Sequence, residues 1–264
     1  MRVISPLVDL NAFYGRLAER GARVLMLDYD GTLAPFRIRP EEAVPYQGVV
    51  EALSALLRQD DTRIVIVSGR RAQDVAALLP PACRPEIRGA HGWERLVPGR
   101  AVEAEEPPAE VRLALSEAGL RAADFRQIGA RIEWKPASIA LHWRGLPTPT
   151  VERLREQSEA TWRPLAATGA VEWLQFDGGV ELRARGANKQ QAVKAVLSET
   201  GARVPIAYLG DDITDEDAFR TVKARGLAVL VRPEFRETAA DVWIRPPHEL
   251  LEFLGRWRRD GSNR

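Results

Sequence analysis

Three short apolar runs constrain this chain more than anything else in it. VLMLDYD (24–30), TRIVIVSGR (62–70) and PIAYLGDD (205–212) are each long enough only for a strand, and each breaks off into acidic or small polar residues. An unbroken apolar run of that length marks a strand buried on both faces. Segments with helical spacing follow these runs: 47–58, RAQDVAALLP (71–80) stopped by Pro80 and Pro81, NKQQAVKAVLSETG (188–201) stopped by Gly201, DEDAFRTVKARG (215–226) and HELLEFLGRWRR (248–259). EIRGAHG (86–92), LAVLVRP (227–233) and DVWIRPP (241–247) add short strands. Strand and helix in alternation predict an α/β fold with a parallel sheet and right-handed crossovers.

That alternation is interrupted after about Gly99. Residues 107–121 and 150–165 read as helices. Arg131–Lys135 and Ser138–Arg144 read as short strands that could pair, and 171–185 as a hairpin turning at Asp177-Gly178-Gly179. In the second strand Ile139, Leu141 and Trp143 alternate with Ala140, His142 and Arg144, a period of two. The expected organisation is a core made of 1–101 and 184–264, with an α+β insert over 102–183.

Composition narrows the function classes. The 264 residues carry a formal net charge of +1, which gives no general reason to bind nucleic acid or acidic membranes. Hydrophobic residues at 45% and charged residues at 28% suit a soluble globular chain. Cys83 is the only cysteine, so no internal disulfide forms, and with only His91, His142 and His248 beside it a structural zinc site is not expected. No run approaches membrane-span length, and the N-terminus lacks a signal-peptide pattern. The expectation is a cytoplasmic, free-standing chain, monomeric or weakly oligomeric. The basic tail RWRRDGSNR is expected to be a solvated end rather than a nucleic-acid patch.

Open α/β sheets bind ligands at the carboxyl ends of their strands. Four clusters fall at such ends or at a helix start: Asp28-Tyr29-Asp30-Gly31-Thr32, Ser68-Gly69-Arg70, Lys189, and Gly210-Asp211-Asp212-Ile213-Thr214-Asp215. Taken singly, Ser68 reads as a helix N-cap and Lys189 as a surface lysine. The two acidic clusters are harder to explain as turns, because crowded carboxylates repel one another unless a cation neutralises them. Hard oxygen donors of this kind suit Mg²⁺. Two acidic clusters at one sheet edge, with a serine and a lysine beside them, describe a site for a phosphate and Mg²⁺.

The order DxDGTL, SGR, Lys, GDDxTDE resembles that of the haloacid dehalogenase-like phosphatases. Within that superfamily the chain is similar to the trehalose-6-phosphate phosphatases, on LDYDGTLAPF, VSGR, GAHGWE, EWKPASIALHWR, VELR, NK and GDDITDEDAF. The resemblance implies a Rossmann-like haloacid dehalogenase core with an inserted α+β cap, and a sugar phosphate as substrate. It makes Asp28 the nucleophile that forms an aspartyl-phosphate and Asp30 the general acid and base. It gives Ser68, Gly69 and Lys189 to the phosphate. It gives Mg²⁺ to the Asp28 carboxylate, the Asp30 backbone carbonyl and Asp211, with Asp212 and Asp215 nearby, direct or through water. Arg70 is expected either in the site or in a salt bridge that shapes the loop.

The insert would be a cap that closes over the site, excludes water and reads the sugar. Glu133 and Lys135 match the family's E-x-K element and Glu181 its second glutamate; His142 and Arg144 are further candidates. His91, in GAHG, is expected at the core–cap junction, and Trp93, Trp134, Trp143 and Trp173 are expected mainly as packing residues. The same core would serve a phosphatase for sucrose-6-phosphate or glucosylglycerol phosphate, or a phosphomutase. A non-catalytic sugar-phosphate-binding module would be expected to have lost one of Asp28, Asp30, Lys189 and Asp211, all of which are present.

Overall fold

The apolar runs become parallel strands because each has a layer to bury into on both sides. The structure, a computed structural model, describes residues 1–19, 21–176 and 178–258. Its strands are β1 (Arg2–Val3), β2 (Arg23–Leu27), β3 (Thr62–Val67), β4 (Glu86–Gly89), β5 (Glu94–Leu96), β6 (Glu103–Ala104), β7 (Arg131–Lys135), β8 (Ser138–His142), β9 (Val171–Phe176), β10 (Gly179–Ala184), β11 (Ile206–Gly210), β12 (Leu227–Val231) and β13 (Val242–Ile244). Its helices are α1 (Leu10–Ala18), α2 (Val49–Leu57), α3 (Ala72–Ala77), α4 (Ala109–Gln127), α5 (Thr148–Ala166), α6 (Lys189–Ser198), α7 (Glu216–Val222) and α8 (His248–Trp257).

Two compact units result, one from Met1–Glu103 with Asn188–Arg264 and the other from Ala104–Ala187. The second unit runs to Ala187 rather than 183, because β10 and the turn after it remain bonded to the insert: the Ala184 amide donates to the Ala137 carbonyl and the Arg185 amide to that of Ala170.

The core sheet has the strand order β1-β13-β12-β11-β2-β3-β4-β5-β6. The pairs from β13 to β4 are parallel, while β1 and β5 join antiparallel at either side. Along β2, Leu25 and Leu27 pack into a layer with Phe13, Leu53, Val75 and Phe253, while Val24 and Met26 pack on the opposite side with Val193, Val196 and Phe219. A strand between two such layers has no polar face, which explains its unbroken apolar sequence. Each buried leucine or valine in those layers contributes about 1.5–3 kcal/mol. The helix α1, not anticipated from the sequence, starts at Asp9, whose carboxylate accepts from the Ala12 amide at 2.9 Å, and buries Phe13 and Leu17 beside Trp257.

β2 lies between β11 and β3, and the chain leaves it on one side toward β3 and returns on the other in β11. This is the topological switch at which α/β sheets open a crevice. The register sets Leu27 beside both Ile66 and Leu209. Asp28, Ser68 and Asp211 therefore emerge together at the carboxyl edge.

The second unit is a four-stranded antiparallel sheet in the order β7-β8-β10-β9, backed by α4 and α5. Its apolar face carries Ile139, Leu141, Val180 and Leu182, all fully buried. Trp134 lies over Gly119 of α4, where an added Cβ would stand 2.4 Å from the indole. The Trp162 indole N–H donates to the Ala118 carbonyl at 3.2 Å, joining α5 to α4. Asp177, which the sequence places in the hairpin turn, lies outside the described residues, as do 259–264 of the basic tail.

Candidate active site

The edge of the core sheet collects carboxylates around a single lysine. Lys189 opens α6 after Asn188, whose side chain caps the helix by accepting from the Gln191 amide at 3.0 Å. This cap turns the lysine inward. Its Nζ lies 2.8 Å from Asp28 Oδ1 and 2.8 Å from Asp215 Oδ1, with all three side chains almost completely buried. Carboxylate oxygens of Asp28, Asp211 and Asp215 fall within 4.8 Å of one another. One lysine cannot neutralise three acids. Burial, opposed by Lys189 and reinforced by Asp215 and Asp30, pushes the Asp28 carboxyl up to about 7. Burial and the Asp28 charge likewise hold Asp211 well above the usual carboxylate range. Lys189 is raised, because its acidic neighbours outweigh the burial that would lower it.

The three acids differ in what their oxygens already do. Asp215 Oδ1 accepts from Lys189 at 2.8 Å and from the Tyr208 hydroxyl at 2.5 Å, and Oδ2 accepts from the amides of Asp211 and Asp212 at 3.1 and 3.0 Å. Four donors fill the acceptor capacity of a carboxylate. Asp215 thus stands behind the site and shapes the Asp211-Asp212 turn. Asp212 closes the reciprocal capping box with Asp215, accepts from the Ile213 amide at 2.7 Å, and lies outside the three-acid group. Gly210 permits this folding back, since a Cβ there would meet Asp215 Cγ at 2.4 Å.

Asp30 points elsewhere. The chain turns at Gly31, with φ of +77°, and a Cβ on that glycine would stand 2.0 Å from Asp211 Oδ2. Only glycine lets the backbone pass so close to the acid. Both Asp30 oxygens accept from Arg70: Nε to Oδ2 at 2.6 Å and Nη2 to Oδ1 at 2.7 Å. Arg70 thus forms a salt bridge, and its partner is the Asp30 expected in the site.

Ser68 is buried at the end of β3, its amide donating to the Arg88 carbonyl at 2.9 Å, and its Oγ accepts from the Arg70 amide at 3.2 Å. Gly69 lies under the His91 ring, 2.7 Å from Cε1 to a would-be Cβ. His91 is in the left-handed region and its amide donates to the Ser68 carbonyl at 2.9 Å, so GAHG braces the SGR loop from within the core.

The insert carries a second constellation, on the face of its sheet opposite the helices. The register sets Glu133, Ala140 and Glu181 side by side across three strands, with Lys135, Ser138 and Arg183 in the next row and Arg131 and His142 in the row on the other side. Glu181 Oε1 accepts from Lys135 Nζ and from Ser138 Oγ, both at 2.7 Å. His142 Nε2 lies 2.6 Å from Glu133 Oε2, and Arg183 Nε donates to Glu172 Oε1 at 2.8 Å. Burial alone would raise Glu133; Lys135 and the His142 hydrogen bond outweigh it and bring the carboxyl down to about 2.

Four of the five insert candidates thus share one face. Arg144 does not: β8 ends at His142, the Trp143 amide turns to the Gly178 carbonyl at 2.9 Å, and the Arg144 guanidinium packs by Gly178. The period of two fails there because the chain enters the tight turn at Gly145, φ +86°, that leads to α5. Trp134 packs over α4 on the opposite face, while Trp143 and Trp173 each lie under an arginine, Arg155 and Arg163, from α5. Tyr208 and Ser138 escaped the sequence reading. Ser138 shares the period-two face with Ala140 and His142 and was open to it; Tyr208 sits inside an apolar run with no local sign of its partner.

Known proteins resemble this chain over most of its length. The trehalose-phosphatase family profile matches residues 26–240. A trehalose-6-phosphate phosphatase of Escherichia coli is 30% identical over 75% of this chain and 73% of its own length, and a probable trehalose-phosphate phosphatase of Sinorhizobium fredii is 34% identical over 79% and 77%. An uncharacterised glycosyl hydrolase of Mycobacterium tuberculosis is 32% identical over 95% of this chain, which spans only 20% of that protein's length. Among solved structures, the C-terminal domain of Candida albicans trehalose-6-phosphate phosphatase has the same fold, with a TM-score of 0.78 at 20% identity over 97% of this chain and 99% of that one. With the match running from β2 to the residues before β13, and with close relatives over most of its length, the chain belongs to the trehalose-phosphatase family.

Proposed function

We propose that the protein hydrolyses trehalose 6-phosphate to trehalose and phosphate, a step of trehalose biosynthesis, through an aspartyl-phosphate on Asp28. The observation that carries this reading is Lys189 Nζ bridging Asp28 and Asp215 at 2.8 Å inside a three-acid cluster at the switch point of the sheet. An ammonium there holds the nucleophile in place and offers a fixed charge to a phosphoryl group. The family and the Escherichia coli relative supply the substrate.

In the first half-reaction an Asp28 oxygen attacks phosphorus, the bond from phosphorus to the sugar oxygen breaks, and Asp30 delivers a proton to that oxygen. In the second, Asp30 takes a proton from water, the water oxygen attacks phosphorus, and the Asp28 carboxylate is regenerated. Ser68 Oγ and the Gly69 amide bind phosphoryl oxygens. The cluster fits a hard divalent cation, because it leaves buried carboxylate charge that Lys189 does not balance. Mg²⁺ would be held by the Asp28 and Asp211 carboxylates and the Asp30 carbonyl, with Asp215 behind them and Asp212 reached through water. It would neutralise charge on the transferring phosphoryl group. On the insert, Glu133, Lys135, Glu181 and His142 bind sugar hydroxyls, with Arg144 at the rim of the same sheet.

The test is phosphate release from trehalose 6-phosphate with Mg²⁺ and with excess chelator. Turnover that depends on the metal supports the reading. Turnover that persists in chelator contradicts the metal assignment, and none in either condition contradicts the activity.

A further inference from the structure

We propose that Arg70 is the positioning residue for Asp30, fixing the orientation of the carboxylate that moves the proton in each half-reaction. The inference rests on the phosphatase reading and extends it to a residue that the reading leaves without a role.

A guanidinium that meets both oxygens of a carboxylate fixes its rotation as well as its position, which a lysine ammonium does not. Arg70 does this to Asp30 at 2.6 and 2.7 Å, with both side chains mostly buried. The fork is itself anchored. Arg70 Nη1 donates to the Pro40 carbonyl at 2.8 Å, its amide donates to Ser68 Oγ at 3.2 Å, and its carbonyl accepts from the Ala90 amide at 2.6 Å. Its guanidinium lies 5.7 Å over the Tyr29 ring, whose hydroxyl donates to the Ala43 carbonyl at 2.8 Å. Asp30 is therefore tied through one side chain to the SGR loop and to the 40–43 segment.

The fork leaves Asp30 able to react. A carboxylate offers about four acceptor positions and the fork takes two, so each oxygen keeps one for water or for the sugar oxygen. In the second half-reaction the water proton goes to such a position on Asp30. The water oxygen bonds to phosphorus, the bond from phosphorus to Asp28 breaks with its electron pair returning to Asp28, and inorganic phosphate forms. The proton left on Asp30 passes to the sugar oxygen of the next substrate as its bond to phosphorus breaks. Both transfers need one direction of approach, and Arg70 sets it.

The experiment is a double-mutant cycle of Arg70→Met and Asp30→Asn, with kcat and KM measured on trehalose 6-phosphate in Mg²⁺. Arg70→Met is expected to lower kcat by roughly 10–100-fold, as small misplacements of catalytic groups do, with KM little changed. Added to Asp30→Asn, the same substitution is expected to change the residual kcat by no more than about twofold, because the two residues act as one unit. Arg70→Lys, which keeps the charge and loses the fork, is expected to resemble Arg70→Met and also serves if the methionine variant does not fold. Losses that multiply, a raised KM at unchanged kcat, or wild-type turnover in Arg70→Lys would each overturn the proposal. A wild-type protein inert toward trehalose 6-phosphate but active on p-nitrophenyl phosphate would overturn only the substrate reading, and the cycle is then decided on that ester.

Discussion

The two units each bury a lysine against carboxylates, and they differ in how fully those charges are paired. In the core, Lys189 faces Asp28, Asp211 and Asp215, and burial, reinforced by Asp215 and Asp30 against Lys189, pushes Asp28 up to about 7. In the insert, Lys135 pairs with Glu181, His142 with Glu133 and Arg183 with Glu172, and Glu133 falls to about 2. A site with unbalanced buried acids is made for a cation and a charged reactant. On the proposed function, a face with paired donors and acceptors would exchange those partners for the hydroxyls of a neutral ring. Balance of charge, rather than the presence of charged residues, separates the chemistry of the first unit from the recognition expected of the second.

The largest effect should follow from breaking the core. Asp28→Asn is expected to lower kcat by at least about 10³-fold, in line with loss of a covalent nucleophile, while the circular dichroism spectrum stays that of the wild type. Residual turnover close to wild type would remove Asp28 from the nucleophile's place.

The metal's effect should also depend on pH. With its folded pKa raised from 3.8 to about 7, Asp28 holds more proton in the native than in the unfolded state across that interval. Stability from this group therefore falls as pH rises from about 4 to about 7 when no cation is present. A cation takes the place of the proton, so saturating Mg²⁺ should raise the melting temperature by on the order of 5 °C at pH 7.5 and far less at pH 4.5. Melting curves with and without Mg²⁺ at the two pH values check this, and an equal shift at both would contradict the surplus-charge account.

Breaking the insert's balance should affect both stability and substrate affinity. Lys135→Met leaves Glu181 buried without its ammonium and is expected to cost about 3–5 kcal/mol in denaturant unfolding. The double variant Lys135→Met, Glu181→Leu should recover much of that stability but not the KM for the sugar phosphate. If the single and double variants are equally destabilised, the pair is not the balanced unit described. The smallest effect is expected from His142→Gln, which keeps a donor to Glu133: KM should rise by about 2–10-fold, in keeping with one weakened hydrogen bond, with kcat near wild type. A fall in kcat alone would assign His142 to the chemistry instead.

Much of this was legible in the sequence where burial acts alone. β2, β3 and β11 stand out as unbroken apolar runs because they lie between two helical layers, and Asp28, Ser68 and Asp211 stand out because they interrupt those runs. What was hidden depends on partners far away in the chain. Nothing near Tyr208 announces Asp215. Nothing in SGR says that its arginine spans to Asp30, forty residues earlier. Across the insert, the rows joining Glu133 to Glu181 and Lys135 to Ser138 exist only once the strand register is set. Arg144 shows the limit of periodicity, which carries no sign of where a strand ends.

The central claim is tested most directly by kcat/KM for phosphate release in Mg²⁺ from trehalose 6-phosphate beside sucrose-6-phosphate, glucose-6-phosphate and mannose 6-phosphate. The account predicts a preference for trehalose 6-phosphate of at least about 100-fold, below the roughly 10⁴–10⁵-fold by which a site built to hydrogen-bond a substrate's hydroxyl rejects an analogue lacking it. Equal rates across the panel, or preference for another member, would contradict the insert's assignment to trehalose 6-phosphate while leaving the core chemistry in place.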